Sequence, residues 1–311
     1  MRKKSKPSLI FISGNSNRVL AEELARTFGC KLGKSEVTKF ADGEISVVVK
    51  DNIYNSTVIV VQSITKDPNV NLMELFVLVD AIKRLKPKAT LVVMPYFGYS
   101  RADRAAIKGE AVSAELVANL MKAAHIDKII TVDIHSDRVI NFLKNNKIQL
   151  ANISVMPLFI DYIKSSNIKD LVVVSPDKGG AKRAKYAADK LNAHLIQLTK
   201  SRPSCNKVVF ENFKAKVKDK NIIIFDDIID TGGTIVNISK LLKKQGCKDM
   251  FIFATHGLFS GDAIERINNS SISKVYITNT VFLEKEKLKS NKIKIIDIES
   301  FITDSMKSII R

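Results

Sequence analysis

Eight short apolar runs punctuate the chain, at residues 9–12, 57–61, 91–94, 128–132, 171–174, 221–225, 250–255 and 274–278. They are nearly continuous in Val, Ile and Leu rather than alternating, the pattern of strands covered on both faces in a parallel sheet. Segments between them carry helical spacing. One presents Val19, Leu20, Leu24 and Phe28 and stops at Gly29; a second presents Leu72, Leu75, Phe76, Val79 and Ile82; a third presents Leu116, Val117, Leu120 and Met121. Strand then helix, repeated, predicts an α/β fold built on mostly parallel sheets flanked by helices. The stretch Lys144-Asn145-Asn146-Lys147 breaks the periodicity near the middle of 311 residues, a length that supports two cores. Domains are therefore expected at 1–150 and 151–311, each opening on a strand–loop–helix unit.

Charge changes this picture little. Fifty Lys and Arg against thirty-two Asp and Glu leave +18, but only eleven of the fifty are Arg, and the lysines are scattered over the whole chain. A nucleic-acid groove would cluster its basic residues and interleave Arg or aromatics, so a solvated lysine-rich surface is the favoured reading and no nucleic-acid partner is expected. The three cysteines, Cys30, Cys205 and Cys247, form neither a disulfide framework nor a CxxC pair, which predicts a reducing, cytoplasmic setting. No apolar stretch approaches the roughly 20 residues of a membrane helix. The basic start Met1-Arg2-Lys3-Lys4 is followed by an apolar run too short for a signal peptide.

In open α/β sheets, ligands bind beyond the carboxyl ends of the strands. The richest such position follows residues 221–225, where Asp226 and Asp227 precede Ile228, Ile229, Asp230, Thr231, Gly232, Gly233 and Thr234, and a helix begins. Backbone N–H groups and hydroxyls at a positive helix terminus form a phosphate cradle, and paired carboxylates accept from sugar hydroxyls. Neither GxxxxGK[ST] nor GxGxxG is present. A capped helix with spare acids explains the sequence less well than a binding loop does.

Residues 222–234 resemble the phosphoribosyl-diphosphate motif of type I phosphoribosyltransferase folds. Further segments narrow the resemblance to the ribose-phosphate diphosphokinase (PRPP synthetase) family. In order they are Ser13-Gly14-Asn15-Ser16-Asn17, Phe40-Ala41-Asp42-Gly43-Glu44, Met73-Glu74-Leu75, Pro95-Tyr96-Phe97-Gly98-Tyr99-Ser100-Arg101, Thr131-Val132-Asp133-Ile134-His135, Ser175-Pro176-Asp177-Lys178-Gly179-Gly180, Lys200-Ser201-Arg202 and Thr255-His256-Gly257. The resemblance implies two phosphoribosyltransferase-like domains, with the C-terminal tail packing back on the first. It implies transfer of the β,γ-diphosphoryl group of ATP to the 1-hydroxyl of ribose 5-phosphate, with release of AMP. By the same resemblance, Asp226, Asp227, Asp230, Thr231, Gly232, Gly233 and Thr234 hold ribose 5-phosphate. His135 and Asp177 ligate Mg²⁺, and Phe40, Asp42, Glu44, Arg101 and His135 bind ATP. Lys200 and Arg202 act catalytically from a long irregular lid spanning 200–220. The family further implies a homo-oligomer, a hexamer, with the ATP site shared between subunits.

Some positions depart from the family pattern. Ala102 stands where Gln is usual, Ala105-Ala106-Ile107 replaces charged residues, and Ile148 lies near the place of an acidic segment, so adenine selectivity is expected to rest on stacking and backbone groups. Ile53-Tyr54-Asn55 replaces a Val-Arg-Gly effector segment, and weak activation by phosphate and weak inhibition by ADP are expected there. Two other readings fit the motifs less well. One is a non-catalytic regulatory homologue, which would be free to lose the residues retained here. The other is a nucleobase phosphoribosyltransferase, which leaves the Phe40 and Arg101 segments unexplained.

Overall fold

The computed structural model describes residues 9–177, 179–198, 200–204, 207–210, 216–284 and 286–310; the side chains of 200–204, 207–210, 288 and 310 are outside that description. The chain divides into two compact units. One comprises Met1–Ile153, Thr280–Phe282 and Ile298–Arg311, the other Ser154–Asn279 and Leu283–Asp297.

The first unit runs β1 (Leu9–Ser13), α1 (Arg18–Thr27), β2 (Ser35–Lys39), β3 (Ile45–Val49), β4 (Thr57–Val61), α2 (Pro68–Arg84), β5 (Ala89–Val93), α3 (Ser113–Ala123), β6 (Lys128–Val132), α4 (Asp137–Asn145) and β7 (Gln149–Ile153). Its main sheet is parallel throughout, in the order β1-β4-β5-β6-β7. The β-branched run of β4 is buried at every position but the first, as a central strand covered on both faces requires. Asn17 starts α1, its side chain accepting from Leu20 N at 3.3 Å. Helix α2 begins at Pro68, whose missing N–H costs nothing in a first turn, and buries Leu72, Leu75, Leu78, Val79 and Ile82. Strands β2 and β3 form a separate antiparallel hairpin.

The second unit runs α5 (Met156–Ser165), β8 (Leu171–Ser175), α6 (Ala181–Leu191), β9 (His194–Gln197), β10 (Lys200–Ser204), β11 (Lys207–Phe210), β12 (Asn221–Ile229), α7 (Gly233–Lys244), β13 (Met250–Gly257), α8 (Ala263–Asn268), β14 (Lys274–Thr278) and β15 (Ile293–Ile296). Six strands make a parallel sheet in the order β15-β14-β13-β12-β8-β9. Alternate residues of β12 face two different cores. Ile222 and Ile224 pack with Ile235, Ile238 and Leu242 of α7, whereas Phe225 joins Phe253 and Phe159 of α5 in an aromatic cluster with centroids 5.4–6.5 Å apart. A last helix, α9 (Glu299–Ile310), belongs to the first unit, where it packs on α1, β6 and β7 and buries Ile302 and Met306.

All eight apolar runs are strands, and the α/β architecture with parallel sheets is as expected. Within the stretch expected as an irregular lid over 200–220, β10 and β11 pair antiparallel, so 200–204 and 207–210 are strands rather than irregular loop, with a register irregularity between Ser201 and Ser204. Within that span, residues 205–206 and 211–215 lie outside the described residues. Ile148 is also corrected. It is buried in the core just before β7, at the amino edge of the sheet, and cannot face a nucleotide held at the carboxyl edge. Among the described residues, no helix is long and apolar enough to cross a membrane.

Candidate active site

The second sheet reverses direction once. From β8 the chain crosses by α6 to β9 on one side, and from β12 it crosses by α7 to β13 on the other. A crevice opens beyond the carboxyl ends at such a switch point, here between β8 and β12. The loops that meet there carry Asp177 and the segment from Asp226 to Thr234.

Sequence pattern ended this strand at Phe225, but β12 continues to Ile229. Asp226 pairs in register with Ala254 and Ile228 with His256, while β8 accompanies β12 only as far as Ile224. The overhanging stretch keeps β13 on one edge and presents the other edge to the crevice. Both acids therefore sit in extended backbone, with Asp227 N donating to Asp226 Oδ1 at 2.9 Å. Asp227 is buried, and Asp226 keeps 26% of its side chain exposed while lying deep among neighbouring atoms. That environment raises the Asp226 pKa to about 8. Loss of hydration is the largest cause and the Asp227 charge the next; the Arg183 guanidinium and the Asp227 N–H oppose them.

The turn after β12 ends in Gly232 at φ 72°, in the left-handed region, and Gly233 opens α7 with no side chain capping its first N–H groups. Gly232 is buried, Gly233 is half-buried and Thr231 is exposed. The turn after β13 braces this loop: Leu258 N and Phe259 N donate to Ile229 O at 2.8 and 3.3 Å, and Ser260 N donates to Asp230 O at 3.1 Å. Uncapped amides on a braced turn suit an anion, and the adjoining acids suit hydroxyls. Asp177 is half-buried after β8; its Oδ1 accepts from Gly180 N at 3.1 Å, and Ser175 Oγ donates to its carbonyl at 2.8 Å.

In the first unit, Arg101 and His135 are exposed on loops after β5 and β6. Gly98 lets the Arg101 loop close on the core, since a Cβ there would lie 2.3 Å from Ile64 Cγ2. Phe40, Asp42 and Glu44 occupy the exposed tip of the β2–β3 hairpin, with Phe40 59% exposed. Glu44 N donates to Asp42 Oδ1 at 3.0 Å and Phe40 N to Glu44 O at 2.8 Å, which closes the tip around Gly43. Lys200 and Arg202 belong to β10, and their side chains lie outside the described residues. His256 is buried in β13, while His125 and His194 are exposed away from these loops.

Two features escaped the sequence reading. Arg183, in the first turn of α6, points at the acid pair: its Nη1 lies 3.3 Å from Asp227 Oδ1 and 3.9 Å from Asp226 Oδ1. The available signal was an Arg, scarce in this lysine-rich chain, shortly after Gly179-Gly180. The second is a polar cluster, with Glu74 and Gln62 buried and Asn15 exposed, joining segments distant in sequence. Glu74 accepts from Asn15 N, Asn15 Nδ2 and Gln62 Nε2 at 3.3, 2.9 and 2.9 Å, and Asn15 Nδ2 also lies 3.3 Å from Val37 O on the β2–β3 hairpin.

No group of three or more His, Cys, Asp or Glu able to hold a metal occurs among the described residues. Asp177, oriented by Gly180 N, is an oxygen ligand of the kind Mg²⁺ takes, since that ion keeps several waters and draws further oxygens from substrate phosphates.

Residues 9–124 match the family description "N-terminal domain of ribose phosphate pyrophosphokinase", and residues 196–311 match "phosphoribosyl synthetase-associated domain". The chain is 39% identical to a ribose-phosphate pyrophosphokinase of Bacillus caldolyticus over 94% of its own length and 91% of the relative's. It is 41% identical to one of Thermotoga maritima, over 94% and 92%. A crystal structure of phosphoribosylpyrophosphate synthetase from Mycobacterium smegmatis is similar at TM-score 0.89 and 31% identity, covering 97% of this chain and 99% of that one. With two of the family's models matched and near full-length similarity to relatives at 39% and 41% identity, the chain belongs to the ribose-phosphate pyrophosphokinase (PRPP synthetase) family.

Proposed function

We infer that this protein transfers the β,γ-diphosphoryl group of ATP to the 1-hydroxyl of ribose 5-phosphate, giving PRPP and AMP. The observation that carries the reading is the acid pair and uncapped helix start at the β8/β12 switch point, in a chain aligned almost end to end with its relatives. A regulatory homologue is not favoured, because His135, Asp177 and the whole segment from Asp226 to Thr234 are retained.

The 1-hydroxyl oxygen attacks the β-phosphorus, the bond from that phosphorus to the bridging oxygen of the α-phosphate breaks, and AMP leaves; the hydroxyl proton passes to solvent. Catalysis of this kind is mainly positioning plus charge stabilisation. Asp226 and Asp227 accept from the ribose hydroxyls, and the amides from Gly232 to Thr234 hold the 5-phosphate at the start of α7. Phe40 and Arg101 stack on the adenine, and Asp42 and Glu44 fix the hairpin tip that carries Phe40. Lys200 and Arg202 offset the charge that builds on the transferring group. His135 and Asp177 would hold Mg²⁺, which would supply charge neutralisation of the triphosphate. The exposed hairpin tip supports a homo-oligomer in which a neighbouring subunit completes the ATP site.

The test is product analysis after incubation with ribose 5-phosphate and MgATP. AMP released in step with PRPP is expected, and ADP as the product would overturn the reading. Lys200→Ala is expected to suppress turnover by orders of magnitude with ribose 5-phosphate binding retained; an unchanged rate would remove Lys200 from the catalytic set.

A further inference from the structure

Two carboxylates from adjacent residues flank one crevice, and among the described residues Arg183 reaches both. Arg183 enters from α6, on the face of the sheet that also carries Phe225, and its side chain is only 20% exposed. Its nearer contact is to Asp227, 3.3 Å away, with Asp226 Oδ1 at 3.9 Å. From this geometry we propose that Arg183 is a positioning residue that aims the Asp226–Asp227 pair and favours its ionised form, so that both carboxylates accept from the hydroxyls of ribose 5-phosphate. The inference rests on the reading that this loop is the sugar-phosphate site.

The physical need is plain. Adjacent acids withdrawn from water resist holding two negative charges, and one of them takes up a proton. A protonated Asp226 would present a donor where a sugar hydroxyl also brings one. The groups acting on Asp226 are Asp227 from β12 itself and Arg183 from α6; across the ladder, β13 contributes Ala254, which carries no charge. Arg183 is thus the one cation acting on this carboxyl among the described residues. Asp226 titrates near pH 8 even with Arg183 present, so ribose 5-phosphate is expected to bind more tightly as pH rises through that value, displacing a proton to solvent. Without the guanidinium the transition moves further up. Lys in its place keeps the charge but not the planar fork, and recovers only part of the effect.

The experiment measures KM for ribose 5-phosphate and kcat between pH 7 and 10 at saturating MgATP, in the wild type, Arg183→Gln, Arg183→Lys and Asp227→Asn. Over that range the sugar phosphate remains dianionic. Arg183→Gln is expected to raise KM about tenfold at pH 7.5, with kcat within about twofold, and to move the acid limb of KM upward by about one pH unit. Arg183→Lys should lie between Arg183→Gln and the wild type, and its limb position decides the matter if the Gln variant fails to fold. Asp227→Asn should raise KM at every pH while moving the limb downward, because the repelling charge is gone. A limb unmoved in both Arg183 variants, beside an impaired Asp227→Asn, overturns the role of Arg183 alone. Unchanged KM in Asp227→Asn as well would overturn the sugar-site reading beneath it.

Discussion

The turn at Gly232 allows a sharp test, because two glycines in this chain share a backbone conformation and differ in location. Gly232 sits at φ 72° at the mouth of α7, and a Cβ there would meet Ala263 O at 3.6 Å and Ile267 at 3.7 Å, ordinary contact distances. Gly29 sits at φ 70° at the end of α1 with nothing within 4 Å of its notional Cβ. Space is therefore no obstacle to alanine at either position, and both substitutions carry the same left-handed strain of about 1–2 kcal/mol. At Gly29 the whole of it should appear as lost stability. At Gly232 the turn has a second option: it can relax in the free enzyme and be forced back when the 5-phosphate binds. That share appears in KM, and 1–2 kcal/mol corresponds to roughly 5–30-fold. Because Thr231 is exposed and only one side of the turn is packed, we expect the larger share there, a rise in KM for ribose 5-phosphate of about five- to tenfold. The assay pairs steady-state kinetics with urea unfolding of both variants. Gly29→Ala should leave KM untouched. If Gly232→Ala also leaves KM within about twofold and loses only the stability that Gly29→Ala loses, the amides of this turn do not hold the phosphate.

Other expectations follow from the same geometry. Asp226, raised to about 8 in the folded protein from an ordinary carboxyl value near 4, penalises folding progressively as pH climbs between those values and no further above. Asp226→Asn should therefore be more stable than the wild type at pH 9, with the advantage vanishing toward pH 4; a pH-independent difference in urea midpoints would contradict this. Glu74→Gln turns one buried acceptor into a donor facing Asn15 and Gln62, and should cost about 1–3 kcal/mol in urea unfolding. The same variant should raise KM for ATP, since Asn15 also reaches the hairpin that carries Phe40; a wild-type melt and KM together would show the cluster to be dispensable. Gly98→Ala must displace Ile64, a fully packed residue, at about 1–3 kcal/mol, and a neutral effect on unfolding would mean that the Arg101 loop is looser than it stands.

How much of this was legible in the sequence depends on which physical signal each part leaves. Strands buried on both faces announce themselves by apolar continuity, and every run so marked is a strand of the two parallel sheets. Several elements that the pattern did not mark lack that signal. Strand β2 is Ser-Glu-Val-Thr-Lys, half-exposed on a two-stranded hairpin, and β10 is Lys-Ser-Arg-Pro-Ser, whose polarity and Pro203 read as loop. Strand β7 follows directly on the stop of α4 at Asn146 and carries only a short, mixed run, Gln-Leu-Ala-Asn-Ile, so no apolar continuity marks it. The site shows the same division. Asp226 to Thr234 follow a buried strand and could be found by position, although the strand runs four residues further than its apolar run because backbone pairing with β13 does not depend on side-chain polarity. Arg183 could not be placed, since its role arises when a crossover helix returns over a neighbouring strand, and no local pattern encodes that return. Ile148 was misplaced for a related reason: only the sheet order shows that it sits at the amino edge.

The most direct test uses ribose 5-phosphate labelled with ¹⁸O at the 1-hydroxyl, incubated with MgATP and followed by ³¹P NMR. Attack by that oxygen on the β-phosphorus retains the label in the bridge between C1 and the diphosphate. The account predicts an isotope-shifted diphosphate resonance in PRPP, with AMP accumulating in equal amount. Loss of the label from the bridge, or ADP in place of AMP, would contradict it.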